Sequence, residues 1–232
     1  MLDRSPGNNH DFVMALKFLQ NRPRLVGSVF KNHAVVGNDH PIGPSYAMHC
    51  ESLAQRAQDL DKAKFHFKKS GITEAEIVTA DMGPGMIDMA LLTQAEARKI
   101  GLDLKVKRVA SDGYWGTVWL NTPICCAWWN MRPTANMMLS LQFHSEAPWN
   151  DSRFKNARVD QILLESRAET DVDKRKEMFC EAEELISNLA GNIIPVHRNY
   201  VDAKMKIVKG MRRGPLSAFG GAEFPEYIWL DV

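Results

Sequence analysis

Residues 75–109, AEIVTADMGPGMIDMALLTQAEARKIGLDLKVKRV, decide the fold. The opening AEIVTAD carries Ile77, Val78 and Thr79, β-branched side chains that suit a short strand. PGMIDMALLTQAEARKIG then places Pro84 near a first helical turn, where a missing N–H costs nothing. Ile87, Leu91 and Ala95 follow at helical spacing, and Gly101 is a stop. LDLKVKRVA closes the stretch as a second strand, with Leu102, Leu104, Val106 and Val109 its apolar members. Strand, helix and strand over 76–109 predict a βαβ unit, with parallel strands and a right-handed crossover. The fold class is therefore α/β.

Working outward, DLDKAKFHFKKSG (59–71) predicts a helix with Asp59 or Asp61 as N-cap and Gly71 as stop. Its core face is read as Leu60, Ala63, Phe67 and the stem of Lys64. Further upstream, residues 11–32 read as one or two short helices, and VVGNDHPIGPSY (35–46) as a punctuating loop. Downstream, SDGYWGTVWL (111–120) suits a helix capped by Ser111 or Asp112, and TPICCAWWN (122–130) a buried strand bounded by Pro123 and Pro133. Helices are expected over ARVDQILLESRAE (157–169) and DVDKRKEMFCEAEELISNLAG (171–191). In the second, Met178, Phe179, Ala182, Leu185, Ile186 and Leu189 recur at the spacing that faces a core. NIIPVHRNYVDA (192–203) is a last buried strand or its edge. The organisation expected is connecting helices and a Gly/Pro loop over 1–50, an α/β lobe over 51–200 and a tail over 201–232. No internal repeat occurs.

Composition narrows the function classes. A chain of 232 residues, 45% hydrophobic and 25% charged, can bury a sizeable core and is neither disordered nor fibrous. A net charge of +1 gives no basic stripe for a phosphate backbone, so no nucleic-acid partner is expected. No apolar run is long enough to span a bilayer. The opening MLDRSPGNNHDF lacks the plan of a secretory signal, so the chain as given is expected to stay where it is made. The cysteines 50, 125, 126 and 180 form no CxxC pair and read as small buried apolar residues.

Catalytic patterns are missing. GPG at 83–85 lacks the further glycines and the Lys-Ser/Thr of a phosphate loop, and no GxSxG elbow occurs. The histidines show neither HxH nor HxxxH, so no metal site or cofactor is predicted. Glu183 and Glu184 are adjacent on a helix and diverge, which rules them out as an acid–base couple. A nucleophilic role for Cys125 or Cys126 has no partner histidine at a recognisable spacing. The chain is not expected to be an enzyme.

CCAWWNMRPTANMMLSLQFHSEAPWN (125–150) offers a different chemistry. On a strand, Trp128 and Asn130 share one face while Trp129 and Met131 share the other, so one indole can serve the core as the other looks across a cleft. Arg132 ends that strand, at the edge where open α/β sheets bind ligands, and its planar fork suits a carboxylate or phosphate. Two readings stay open for it: a ligand contact, or an ion pair with Asp151 or Glu146. Tyr114 and Trp115 are either a second aromatic wall or core.

The succession VVGNDHPIGPSY, DLDKAKFHFKKSGI, EARKIGLDLKVKRV, DGYW, WWNMRP, WNDSRFKNARVDQILLESRAETDVDKRKEMFCEAEELI and GNIIPVHRNYVDA resembles the family 5 extracellular solute-binding proteins, receptors of peptide, nickel and opine ABC importers. The resemblance runs from about Phe12 to Asp231. It implies the C-terminal lobe of a type II periplasmic-binding-protein fold, a mixed sheet flanked by helices, whose tail returns towards another lobe. It also implies a small-molecule solute such as a peptide, an opine or a sugar-derived anion, partnership with importer membrane subunits, and a periplasmic location. By the same carry-over, Tyr114, Trp128, Trp129, Asn130 and Arg132 are the ligand-binding candidates. Peptide-binding members carry an aspartate in this strand, and here Trp129-Asn130-Met131 offers no acid, which favours an anionic or polyol-bearing solute. A lone lobe would leave its cleft open, with weak binding and a tendency to self-associate. A stand-alone protein-interaction module, or a receptor fragment without function, is the alternative.

Overall fold

The computed structural model describes residues 1–231. Its centre is the βαβ unit. Strand β2 (Glu74–Thr79) pairs in parallel with β3 (Asp103–Arg108) from Glu74 opposite Asp103 to Thr79 opposite Arg108, and α4 (Met86–Ile100) crosses between them. Gly101 ends α4 at φ 88, a left-handed conformation that a side chain would disfavour.

One face of α4 differs from the expectation. Met86, Ala90, Thr93, Ala97 and Ile100 are buried, while Leu91 is 47% exposed and Ala95 faces solvent. The segment MIDMALL is apolar on nearly every side, so spacing alone admits two stripes. The small Ala90 and Ala97 won because they allow close approach to the sheet and to the helices alongside.

The first fifty residues do more than connect. Helix α1 (His10–Leu19) packs on α3 (Leu60–Ser70) and on α4, and gives Phe12, Leu16 and Leu19 to a core shared with Ala63, Ala97 and Leu104. A short α2 (Arg22–Arg24) and a π-turn over Leu25–Val29 lead to β1 (Ala34–Val36), which pairs antiparallel with β4 (Val196–Arg198). Asp59 caps α3 by accepting the Lys62 N–H at 2.9 Å, as its position predicts.

A second core lies between α6 (Ala135–Phe143), α7 (Ala157–Glu165) and α8 (Val172–Leu189), built on Leu139, Phe143, Ile162, Phe179 and Ile186. Helices α7 and α8 fall where the sequence places them, although Leu189 is exposed. Helix α6 was not anticipated: in ANMMLSLQF the polar Asn136, Ser140 and Gln142 fall on more than one side, with Gln142 buried, so no clear stripe announces it, and only the Thr134 cap, whose Oγ1 accepts the Met137 N–H at 3.1 Å, marks its start.

The strand expected over 122–130 shrinks to one parallel bridge, Val78 with Cys125, made by Val78 N–H to Ile124 O and Cys126 N–H to Val78 O. Pro123 removes one donor, and beyond Cys126 the chain leaves β2 as the two indoles find partners on different sides. Helix α5 (Tyr114–Thr117) begins at Gly113 rather than under a Ser111 or Asp112 cap. Among the described residues the pairings make three two-stranded sheets, one parallel and two antiparallel, the last being β5 (Val208–Lys209) with β6 (Trp229–Leu230) in the tail. The cysteines correct the reading of four buried thiols: Cys50 and Cys180 are bonded, with Cα atoms 4.9 Å apart, and only Cys125 and Cys126 are free.

Candidate ligand-binding cleft

The bridge at Cys125 sends the segment 126–131 along the wall of a cleft of about 1300 Å³. Trp128, Trp129 and Asn130 line it from one side, β4 and Tyr200 from another, and the turn 83–86 and the tail segments 201–204 and 211–215 complete its rim. Each indole is fixed by a hydrogen bond. Trp128 Nε1–H donates to Met82 O at 3.1 Å. Gly83 permits this, since a Cβ there would sit 3.2 Å from that nitrogen. Trp129 Nε1–H donates to Asp151 Oδ2 at 3.0 Å.

The alternation predicts one indole in the core and the other across a cleft, whereas each ring packs on a core of its own and both line the cleft. Trp128 packs beside Val78, Met86 and Tyr114, and Trp129 beside the α6–α8 core. Trp119, Trp129 and Trp149 form a triangle of edge-on contacts with centroids 6.1 to 6.2 Å apart. Asp151 is the hub of this wall: its Oδ2 also accepts the Trp119 indole at 3.3 Å, and its Oδ1 accepts Asn192 Nδ2 at 2.9 Å. The sequence offered Asp151 only as an ion-pair partner of Arg132, because the indole acceptors of a residue twenty positions away leave no local pattern.

Arg132 pairs with neither proposed carboxylate. Asp151 is committed to the indoles, and Glu146 meets Lys155 at 3.2 Å. Instead the Arg132 backbone N–H donates to the Tyr46 hydroxyl at 2.8 Å, Nη1 folds back to Asn130 O at 3.2 Å, and the guanidinium lies 5.8 Å from the Trp129 ring centre. It sits behind the wall and does not line the cleft.

Tyr114 is placed in the core rather than on a second wall. It is 1% exposed, and its hydroxyl donates to Cys126 O at 2.8 Å and lies 3.2 Å from Val78 O. Burial lifts its phenol well above the ordinary range. The same burial pushes the Cys126 thiol up to about 12 and raises Cys125, the reverse of what a thiolate nucleophile needs.

Sequence reading missed Arg198. Its guanidinium carbon lies 5.4 Å from the Trp128 ring centre and 5.5 Å from that of Tyr200, inside the cleft. The Tyr200 hydroxyl in turn donates to Asn130 Oδ1. Within NIIPVHRNY only Tyr200 is a ring partner of this arginine, and its other partner, Trp128, comes from a segment 70 residues earlier, which no local pattern announces.

Behind β4 lies a buried polar cluster. Glu183 is fully buried, accepts the Cys50 N–H at 3.0 Å and stands 3.5 Å from His40 Nδ1. Burial raises its carboxyl to about 8, and burial lowers His40 to about 3 and His197 to about 4. Burial thus favours the uncharged form of Glu183, His40 and His197 alike, a protonated acid beside neutral imidazoles. Glu184 is exposed, so the adjacent glutamates diverge as predicted. Among the described residues no group of three metal-binding side chains comes together, and no helix is long and apolar enough to cross a membrane.

A family model described as bacterial extracellular solute-binding proteins, family 5 Middle, matches residues 2–151. The probable D,D-dipeptide-binding periplasmic protein DdpA of Escherichia coli (strain K12) is 27% identical over 220 residues, which is 92% of this chain and 42% of that protein. Among solved structures, the periplasmic binding protein DppA of Helicobacter pylori in complex with peptide STSA superposes with a TM-score of 0.79 at 20% identity, over 100% of this chain and 46% of that one. NikZ of Campylobacter jejuni in complex with Ni(L-His) gives 0.77 at 19% identity, over 94% and 48% respectively. At these identities the structural likeness shows the fold: this α/β chain reproduces a portion of a periplasmic binding protein. It spans about half the length of the relatives it matches.

Proposed function

The chain belongs to the family 5 bacterial extracellular solute-binding proteins, and from that premise we propose that it supplies one wall of the solute cleft of an ABC importer receptor. The observation that carries this reading is the cleft itself, walled by Trp128, Trp129 and Asn130, whose rings and amide are already held in place by Met82, Asp151 and Tyr200. Rigid aromatic faces bind at little entropic cost, and fixed indoles have little to lose on binding. The solute is peptide-sized, an opine or sugar-derived anion being the narrower option, and the importer's membrane subunits are the partners. The raised thiols of Cys125 and Cys126 fit a binding role rather than nucleophilic catalysis.

The Cys50–Cys180 bond supports residence in an oxidising compartment, as in the periplasm. Val201, Met205, Trp229 and Leu230, between 58% and 68% exposed, give the tail an apolar surface through which copies would self-associate. The test is a titration of tryptophan fluorescence and melting temperature against short peptides, opines and sugar phosphates, with Trp129→Ala alongside. Saturable quenching that weakens by about tenfold or more in the variant is the expected result. A flat response to every solute, from a chain that still melts cooperatively, would leave the cleft without a role in solute binding and favour a protein-contact role for its aromatic face.

A further inference from the structure

We infer that Arg198 is the carboxylate-binding residue of the cleft, with the side-chain amide of Asn130 as its second donor. This rests on the reading of the chain as one wall of a solute cleft, and adds the charge of the solute to it.

Arg198 ends β4, and its guanidinium lies against Trp128 and Tyr200 at 5.4 and 5.5 Å from the ring centres. Aromatic faces hold the plane of a guanidinium while leaving its N–H edges unspent. Among the described residues no carboxylate lies within ion-pair distance of Arg198, and no protein acceptor takes any of its N–H groups. The fork is thus fixed in direction and free to donate, which is the arrangement a planar carboxylate matches.

Asn130 adds to it. The Tyr200 hydroxyl has one proton and gives it to Asn130 Oδ1, so the amide nitrogen keeps both of its own for the cleft. Tyr200 touches both residues, which sets the two donors within one ring's reach of each other. The charges of the lining have the matching sign: Arg198, Lys204, Arg212 and Arg213 against Asp151 and Asp202. Both acids are already engaged, Asp151 by indole N–H groups and Asp202 by the Phe219 N–H at 2.7 Å. Arg132 is not part of the lining, and its Nη1 is turned back onto Asn130 O.

The experiment is calorimetric or fluorescence titration of the full chain with N-acetyl-alanyl-alanine and with its C-terminal amide, at concentrations up to millimolar. The proteins compared are the unaltered chain, Arg198→Gln, Arg198→Lys and Arg132→Gln, each first shown to melt cooperatively. The free acid is expected to bind about 10- to 100-fold tighter than the amide, the size of a charge-assisted hydrogen-bond pair. Arg198→Gln should erase that preference, Arg198→Lys should keep only part of it because lysine has no fork, and Arg132→Gln should leave it intact. If both peptides bind but the preference is absent, or survives in Arg198→Gln, the inference is overturned while the cleft reading stands. If neither peptide binds, both fall together.

Discussion

At the scale of single residues the cleft wall and the cluster behind it obey opposite rules. Trp128 and Trp129 are polar at one atom and apolar elsewhere, so one hydrogen bond each fixes a large surface. Glu183 is buried with its Oε1 unpartnered, and burial favours its protonated form. In the unfolded chain that carboxyl ionises near its ordinary 4.5, and in the folded chain it stays protonated up to about 8. Folding therefore retains a proton that the unfolded chain releases, and stability from this group falls as pH rises between those values, remaining low above them. His40, lowered to about 3, acts at the other end: stability falls as pH drops below the ordinary histidine range towards that value. The titratable groups that face the pair are imidazoles: His49 Nδ1 lies 3.8 Å from Glu183 Oε2, and His49 and His197 both act on His40. Glu183→Gln, which keeps an acceptor for Cys50 N–H and cannot ionise, should stabilise the chain by about 2–4 kcal/mol at pH 8 and by much less at pH 5. Thermal melts of both proteins at the two pH values measure this, and an equal shift at both would show that the carboxyl is not the titrating group.

At the scale of elements, α4 tests how a helix chooses its face. The buried stripe runs through Ala90, Thr93 and Ala97 although Leu91 is the larger apolar residue. Leu91→Ala should therefore change stability by less than about 0.5 kcal/mol, as at other exposed sites. Ala97→Leu, which forces a larger side chain between α4 and the core, should cost about 1–3 kcal/mol. Chemical denaturation of the two variants decides it, and a larger loss from Leu91→Ala than from Ala97→Leu would reverse the face assignment. The segment 122–130 shows the complementary lesson. Its apolar run has the composition of a strand, yet one bridge to Val78 is all it forms, because its indoles are claimed by Met82 on one side and Asp151 on the other.

At the scale of the whole molecule, the Cys50–Cys180 bond ties the loop after the cleft-lining residues 43–46 to the middle of α8, across 130 positions of sequence. Cross-linking so distant a pair restricts the unfolded chain strongly, and Cys180→Ser should lower stability by about 2–5 kcal/mol. Dithiothreitol should bring the melting temperature of the unaltered chain down to that of the variant, and a melt indifferent to reductant would mean that the bond contributes nothing. The sequence by itself determined the βαβ unit, its parallel pairing, helices α3, α7 and α8 and the aromatic segment that lines the cleft, because caps, stops and periodic spacing are local and act within one or two turns of chain. Only the tertiary structure decided which thiols pair, that Tyr114 is core, that Asp151 anchors the indoles, and that Arg198 rather than Arg132 faces the cleft. Each of those outcomes depends on atoms brought together from segments tens of residues apart, and no short-range pattern encodes which distant partner a buried polar group will meet.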